Sequence, residues 1–272
     1  MSGSSSFFRL LDFQFSSIEH YPGVINGLWN NQVDGIIVRE LITPSVASKF
    51  IELLCDSSLD LPRSNYYWGQ VFGRVLTSQL EDLDQYFIEA SLYESNLPPI
   101  WGQSITSWPS FFSELLYTLS GKIATVPSLS NSLSFISSTI RIISNGKELT
   151  THCGNQFAEC STKLDSLSKI SLLDDQVSYF LLLQEPSLGG ELTVFDALWS
   201  NRSSYTRQGL SLIQSIESRD SLKLDLKVGD LLIFQGGQIY HRVECIHGVT
   251  PRITLGGFIT PSHDLHNLYF WS

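Results

Sequence analysis

The distribution of hydrophobic and polar residues divides the chain into a first half with helical periodicity and a second half of short β-type runs. Three segments of the first half repeat apolar residues at helical spacing and are predicted to be amphipathic helices. The first begins with Thr43 as N-cap and Pro44 at the first helical position, and the third ends at Gly121. The predicted buried faces are Val46, Phe50, Leu53 and Leu54, then Leu80, Leu83, Phe87 and Leu92, then Phe112, Leu115, Leu116 and Leu119.

From about residue 135 the pattern changes to runs of strand length, which either alternate or are continuously apolar. The runs are SSTIRIIS, QVSYFLLLQEP, GGELTVFDALW, LKVGDLLIFQGG and PRITLGGFIT, and the second of them is predicted to be fully buried. NGKE is a turn signal after the first run. Strands of this kind, joined by Gly and Pro turns, favour an antiparallel jelly roll, the double-stranded β-helix.

The predicted fold class is therefore α+β, with a jelly-roll core and N-terminal helices packed on it. One domain is expected over residues 1–272, with a helical part over 1–130 and the jelly roll over 135–272. The aromatic stretch NYYWGQVFGRV, at residues 65–75, is expected to be a loop or an edge strand. The polar residues 200–220 are expected to form an insertion between two strands.

Composition and charge exclude several classes of function. Hydrophobic residues make up 42% of the chain and charged residues 16%, which supports a substantial core and excludes wholesale disorder. With 27 acidic and 17 basic residues, the net charge is −10. Such a surface would repel a phosphate backbone, so nucleic acid is not an expected partner. An acidic carrier protein is disfavoured by the same argument.

The cysteines and the N-terminus indicate a soluble, cytoplasmic protein. Cys55, Cys153, Cys160 and Cys245 form neither a CxxC pair nor a zinc spacing, so reduced thiols are expected. The N-terminus lacks the basic region and sustained apolar run of a secretion signal. No apolar stretch approaches the roughly 20 residues that a membrane span needs, so no membrane association is expected.

Two histidines far apart in the chain are candidate ligands of one metal ion. His152 follows a predicted strand and turn, and His241 follows the apolar run DLLIFQGG, so both can lie at strand ends that face one cavity. Imidazoles suit Fe(II), and two histidines with one carboxylate form the usual non-haem iron triad. Here the carboxylate position, two residues after His152, is Gly154. Arg252 offers the planar fork that a dicarboxylate cosubstrate requires.

Several segments resemble the Fe(II)/2-oxoglutarate-dependent oxygenases. GDLLIF, HRV and GVTPR, within residues 229–252, resemble the C-terminal signature of these enzymes, and GGELTVFD at 189–196 resembles the strand that precedes it. In those enzymes the first histidine begins an HxD or HxE motif, whereas this chain has HCG at 152–154. HxG is the departure seen in their halogenating branch.

Longer segments are similar to the carrier-independent halogenases of the hapalindole and welwitindolinone alkaloid pathways. These segments are STIRIISNGKELTTHCGNQF, QVSYFLLLQEPSLGGELTVFDALW, GGQIYHRV, the terminal YFWS and the early YPGVINGLWNNQVDGIIVRE. The similarity covers most of the chain and is weakest over residues 57–130 and 200–226. It implies chlorination of an unactivated aliphatic carbon of a freestanding, alkaloid-like small molecule, with Fe(II), 2-oxoglutarate, O2 and chloride or bromide, and without a carrier protein.

The resemblance also implies roles for individual residues. His152 and His241 would bind iron, and Gly154 would leave the carboxylate position open for a halide that the metal's charge holds. Arg252 would bind the distal carboxylate of 2-oxoglutarate, and Arg141 would reach the cosubstrate or the surroundings of the halide. Around the metal, Ser178 would bias transfer to the carbon radical toward halogen, and Asn155 is a further polar neighbour.

Each residue also has an ordinary structural interpretation. The two histidines would then be a turn and a core histidine, Gly154 a residue of a positive-φ turn, Arg252 a surface ion-pair former and Ser178 a buried hydroxyl. His20, His247, His263 and His266 are expected to be structural or exposed. Tyr66, Tyr67, Trp68, Phe72 and Phe87 belong either to the core or to a substrate wall.

Two other functions remain open at this point. The first is a hydroxylase or other oxidative tailoring enzyme in which water occupies the vacant position. The second is a non-catalytic, ligand-binding jelly roll. The net acidity disfavours a nucleotide substrate, although Arg63 and Arg74 keep that class open.

Overall fold

Short strands and helices alternate along the described chain. The computed structural model describes residues 7–56, 59–76, 83–98, 107–130, 133–160, 164–205 and 209–272. The strands are β1 (Leu10–Gln14), β2 (Gly35–Arg39), β3 (Arg63–Tyr66), β4 (Gly69–Phe72), β5 (Ile123–Thr125), β6 (Thr139–Ile143), β7 (Leu149–His152), β8 (Val177–Gln184), β9 (Leu188–Gly189), β10 (Leu192–Leu198), β11 (Ser221–Leu224), β12 (Leu231–Phe234), β13 (Ile239–Val243), β14 (Ile246–His247), β15 (Arg252–Pro261) and β16 (Asn267–Trp271). The helices are α1 (Asn26–Trp29), α2 (Pro44–Leu54), α3 (Leu83–Asn96), α4 (Trp108–Ser120), α5 (Gly154–Cys160), α6 (Asp165–Ser168) and α7 (Leu212–Glu217), with 3-10 turns at Phe15–His20, Leu173–Asp175 and Trp199–Tyr205.

Two mainly antiparallel sheets form the predicted jelly roll, so the predicted fold class is confirmed. The large sheet has ten strands and runs in the order β1-β2-β12-β8-β15-β6-β4-β3, with β16 and β5 attached through β15. The small sheet has four strands in the order β11-β10-β13-β7. Within the described ranges, β1–β2 and β16–β5 are the parallel pairs.

Alternating side chains of the large sheet face two different environments. Leu231 and Ile233 of β12 belong to the core under the helices, whereas Leu232 and Phe234 belong to the core between the two sheets. A central strand buried on both faces explains the continuous apolar run in this sequence. β8 differs from the prediction of full burial, because Ser178 and Phe180 are half-buried on the side that lines a cavity.

The three predicted helices are present and their caps follow the sequence signals. The Thr43 side chain accepts a hydrogen bond from the backbone N–H of Val46, and Gly121 ends α4 at φ 72°. All four predicted face residues of α4 are buried, which confirms that assignment. On the other two helices, Leu53 is 38% exposed and Leu92 39% exposed, so both were wrongly assigned to the buried face. Leu80 lies outside the described residues.

The description of residues 1–130 as the helical part is incomplete, because β1 to β5 all come from this region. β2 lies inside the large sheet, antiparallel to β12 and parallel to β1. β3 and β4 form a hairpin at the far end of the same sheet, where β3 is the edge strand and β4 lies between β3 and β6; the prediction of a loop or an edge strand over residues 65–75 therefore holds only for the β3 end of that stretch. The N-terminal region therefore contributes strands as well as covering helices to the core.

The insertion predicted over residues 200–220 is confirmed between β10 and β11. It contains a 3-10 turn and α7, whose N-cap Ser211 forms a capping box with Gln214. Among the described residues, no helix combines the length and the apolarity needed to cross a bilayer.

Candidate metal centre

His152 and His241 lie directly opposite each other on neighbouring strands of the small sheet. His152 ends β7, whereas His241 lies in the middle of β13 rather than at a strand end, and the two Cα atoms are register partners. The ring centroids are 4.4 Å apart, with 55° between the ring planes. The antiparallel register therefore brings two residues that are distant in sequence close enough to share one small ion.

Both rings are fixed in the same tautomer by backbone carbonyl groups. Nδ1 of His152 lies 2.7 Å from the carbonyl oxygen of Thr150, and Nδ1 of His241 lies 2.8 Å from that of Ile239. A carbonyl oxygen only accepts hydrogen bonds, so Nδ1 carries the hydrogen in both rings. Each Nε2 then keeps its lone pair, which is the form that binds a metal ion.

Burial keeps both rings neutral. Desolvation lowers the pKa of His152 to about 4, assisted by the nearby Arg141. Desolvation and the neighbouring His152 hold the pKa of His241 well below its usual value. Phe234 packs edge-on against His241 with centroids 4.9 Å apart, and Phe157 lies 5.7 Å from His152. The apolar surroundings thus favour unprotonated imidazoles, which can ligate without first losing a proton.

A pH titration of the metal-free protein tests this state of the histidines. Because the unfolded-state pKa is near 6.5 and the folded-state pKa of His152 is about 4, only the unfolded chain takes up a proton between these values. Stability is expected to be full above pH 6.5 and to fall toward pH 4 by about 1.4 kcal/mol per pH unit for each histidine. Denaturant unfolding with a chelator present measures this slope. A His152→Gln variant should have a shallower slope, and an unchanged slope would contradict the assignment.

No third protein ligand joins the histidines among the described residues: no group of three or more His, Cys, Asp or Glu side chains is placed to hold a metal ion. Gly154 begins α5, and its backbone N–H donates to the carbonyl of Gly236 at 2.8 Å. A Cβ at Gly154 would lie 3.2 Å from Cδ of Gln176 and 3.2 Å from Cα of Gly237. The glycine therefore permits a close approach of α5 to the turn before β13, and it also lines the cavity beside the histidines.

The histidines open into a cavity of about 840 Å³ between the two sheets. Its described lining contains four arginines but no aspartate or glutamate: Arg63, Arg74, Arg141 and Arg252. This differs from the net charge of −10 over the whole chain. The interior is therefore positively charged within an acidic protein, a field that attracts small anions.

Arg252 is buried and Arg141 is half-buried in the wall of this cavity. They lie on neighbouring strands, β6 and β15, and neither forms an ion pair with a described carboxylate. Arg252 lies over the Phe180 ring at 4.9 Å, and burial lowers its pKa to about 10. Burial also lowers the pKa of Arg141, whose Nε atom has no hydrogen-bond partner among the described residues. Two guanidinium groups that are desolvated without a carboxylate partner are unfavourable unless an anion accompanies them.

The structure brings most of the predicted site residues to one cavity. His152, Gly154, Ser178, His241, Arg141 and Arg252 all line it. Ser178 lies next to Gly236, where a Cβ would collide with the Ser178 hydroxyl. Asn155 does not line the cavity; it is 1% exposed and anchors α5 by donating to the carbonyl of Asp174 and accepting from Gln176.

The candidate aromatic residues divide between wall and core. Tyr66, Tyr67 and Trp68 line the cavity, with the Tyr66 and Trp68 rings stacked at 5.2 Å. Phe72 and Phe87 are buried in the helix-covered core. The other four histidines, His20, His247, His263 and His266, are exposed, as expected.

Sequence reasoning missed lining residues that follow by strand alternation. Phe180 comes two residues after Ser178 on β8, and Thr254 comes two after Arg252 on β15; both line the cavity. Since residues i and i+2 of a strand share a face, the period of two was the signal that could have found them.

The chain is similar to one described protein family over most of its length and to solved structures in its fold. The family model described as carrier-protein-independent halogenase WelO5 matches residues 7–272. No curated protein matches the chain. Among solved structures, the N-substituted L-amino acid dioxygenase from Burkholderia ambifaria AMMD is 16% identical, with 90% of each chain covered and a TM-score of 0.57. Its complex with alpha-KG gives 15% identity, 90% coverage of each chain and a TM-score of 0.58. At these identities the likeness concerns the fold.

Proposed function

Since the chain belongs to the carrier-protein-independent halogenase family, we propose that it is an Fe(II)/2-oxoglutarate-dependent halogenase that chlorinates an unactivated aliphatic carbon of a freestanding small molecule. One observation carries the proposal. Two neutral histidines face each other in a cationic cavity, and no third protein ligand joins them among the described residues. Such a donor set leaves several metal positions to small ligands.

His152 and His241 hold the metal through their Nε2 atoms. Imidazole ligands suit Fe(II), and the hydrogen bonds from each Nδ1 to a backbone carbonyl keep the rings oriented and raise their basicity. Bound iron, with O2 and 2-oxoglutarate, would supply the oxidising chemistry needed to replace a substrate hydrogen with a halogen. The protein positions the reactants, surrounds them with positive charge and keeps water away from them.

Gly154 gives room for the halide. In the related oxygenase motif a carboxylate would occupy this position, and its negative charge would repel an incoming anion. A glycine adds neither bulk nor charge to the side of the cavity that it lines, and the charged guanidinium of Arg141 strengthens the positive potential there. We assign Arg141 to the surroundings of the halide and the cosubstrate.

Arg252 binds the distal carboxylate of 2-oxoglutarate. Its guanidinium is buried on the cavity face of β15 and has the planar fork that pairs with a carboxylate through two hydrogen bonds. Ser178, on the neighbouring strand β8, lines the same cavity and biases the transfer toward halogen by hydrogen bonding near the metal.

The cavity wall narrows the substrate class. Tyr66, Trp68 and Phe258 provide aromatic surface, and apolar side chains line much of the remaining described wall. With no described carboxylate in the lining, a charged amine would lack a partner there and would meet like charge. An alkaloid-like natural product without a charged amine fits this wall.

Spectroscopy followed by product analysis tests the proposal. Anaerobic addition of Fe(II) and 2-oxoglutarate is expected to give a metal-to-ligand absorption band, and chloride is expected to shift it. After oxygen is admitted with a candidate alkaloid-like substrate, mass spectrometry should find a chlorinated product and succinate. A hydroxylated product with no response to chloride would establish the hydroxylase instead. No binding of 2-oxoglutarate would leave a non-catalytic protein.

A further inference from the structure

A row of polar side chains crosses the small sheet on the surface opposite the histidines. Glu217, the last residue of α7, accepts from the Thr151 hydroxyl at 2.5 Å and from Arg242 at 3.4 Å, both through Oε1. Arg242 also donates to Glu244 at 2.6 Å, and Glu244 accepts from the Thr193 hydroxyl at 2.6 Å. The row thus joins β7, β13 and β10, the strands that contain or flank both histidines. We call it the outer row.

The pairing of β7 with β13 is interrupted next to the residue that Glu217 contacts, Thr151. His241 is opposite His152, but Val243 is opposite Leu149, so β7 has one more residue than β13 between these pairs. Thr150 and Thr151 form this β-bulge, and β7 is the edge strand of its sheet. A bulge disrupts the backbone ladder and redirects the side chains next to it. Here it lets both Leu149 and His152 face the cavity.

The bulge also orients the His152 ring. The carbonyl that fixes Nδ1 of His152 belongs to Thr150, in the peptide group shared with Thr151. Glu217 accepts a hydrogen bond from the side chain of Thr151, which precedes His152. It also accepts one from Arg242, the residue that follows His241. One carboxylate therefore contacts a direct chain neighbour of each histidine.

The insertion that carries Glu217 is itself anchored to this sheet. Ile216 is fully buried in a cluster with Cys153, Phe195 and Tyr240, and Cys153 and Tyr240 are the chain neighbours of His152 and His241. On the same side, Glu159 of α5 accepts from the indole of Trp199 and from Arg202, at the start of the insertion. These contacts hold the insertion against the elements that position the two histidines.

We propose that Glu217 is a positioning residue for the metal centre, which fixes the bulge of β7 and thereby the place and tilt of the His152 ring relative to His241. The proposal rests on the proposed function in one respect, that these two histidines bind Fe(II). The insertion would then stabilise the metal centre rather than contact the substrate.

The Fe(II) affinity and the rate of amide hydrogen exchange in β7 together test the proposal. Fe(II) is titrated anaerobically into the full-length protein with 2-oxoglutarate and followed by its absorption band. Glu217→Ala is expected to weaken Fe(II) binding by about tenfold, the low end for residues that orient metal ligands. Thr151→Val should have a similar effect, and the double variant should be little worse than either single one, because both act through one contact. Hydrogen exchange of the metal-free protein should show faster exchange at β7.

Glu244→Gln is the matched control, since it breaks an ion pair with the same Arg242 but leaves Thr151 bonded to Glu217. It should leave the Fe(II) affinity within about twofold of the wild type. If Glu217→Ala does not fold, Thr151→Val, which keeps the shape of the threonine side chain but removes its hydroxyl, provides the comparison. Equal losses in the control, or unchanged Fe(II) affinity and β7 exchange in both test variants, would overturn the proposal. A wild type that takes up no Fe(II) would overturn the proposed function with it.

Discussion

Replacing Gly154 with aspartate is expected to reduce chlorination by at least about a hundredfold, roughly 2.7 kcal/mol in transition-state free energy, while hydroxylation appears. The new carboxylate would follow His152 at the spacing of the oxygenase triad and supply a third protein ligand. It would occupy the proposed halide position and add a negative charge there, so the anion would be both displaced and repelled. Product ratios from mass spectrometry, at saturating 2-oxoglutarate and increasing chloride, measure the effect.

Gly154→Ala separates the charge of the aspartate from the space it takes. Its Cβ must fit 3.2 Å from Cδ of Gln176 and 3.2 Å from Cα of Gly237, which requires a shift of a few tenths of an ångström. The Gln176 side chain can adjust, although it is also bonded to Asn155 at 2.9 Å. We therefore expect the alanine variant to be less stable but still to chlorinate when folded. If alanine abolished chlorination while the iron and 2-oxoglutarate remained bound, packing rather than charge would explain the aspartate result.

Replacing Arg252 with glutamine is expected to weaken 2-oxoglutarate binding by at least about thirtyfold, because the proposed charged hydrogen bonds between Arg252 and the distal carboxylate would be lost. Arg252 is buried and forms no ion pair with a described carboxylate, so its positive charge is free to bind an anionic ligand. The dissociation constant follows from titrating 2-oxoglutarate into the protein with Fe(II) under nitrogen. Arg252→Lys should recover only part of the affinity, since an ammonium group cannot make the paired fork.

Two comparisons make the Arg252 result specific. Arg74 lines the same cavity but is bonded through two nitrogens to Glu89, at 2.5 and 2.6 Å. Arg74→Gln should therefore leave 2-oxoglutarate affinity within about twofold. Since Arg252 carries an unpaired buried charge in the ligand-free protein, its removal should not lower the melting temperature. Equal losses of affinity at both arginines would indicate a general effect of cavity charge rather than a binding fork.

The sequence predicted those parts of the fold that depend on local signals. α4 agrees in extent and buried face because its apolar residues repeat regularly and Gly121 ends it in a left-handed conformation. Leu53 and Leu92 were assigned wrongly because periodicity gives the apolar stripe but not the exact direction of its partner. β2 was missed within a region taken as helical, since its role depends on β12, almost two hundred residues later in the chain.

The site residues could be predicted where segments of the sequence resemble known motifs, and Ser178 and Arg141, predicted in this way, also line the cavity. The two histidines, the glycine and Arg252 stand at recognisable positions, and the structure brings them to one cavity. Asn155 was wrongly predicted to lie beside the metal. Its neighbour Gly154 lines the cavity, but the Asn155 side chain turns away and anchors α5. The outer row could not be predicted from the sequence. It depends on where the insertion packs and on the bulge in β7, and neither follows from the local sequence pattern.

The position of β2 affects how the chain is made. Its apolar residues Ile36, Ile37 and Val38 leave the ribosome long before β12, the strand that later covers one of their edges. Until β12 has been made, β1 is the only one of the two sheet neighbours of β2 that is available, and an unpaired apolar edge readily joins other chains. Contacts between such distant segments also form slowly. We therefore expect the yield of folded protein to depend on how nascent chains are protected during synthesis, through lower growth temperature or added chaperones.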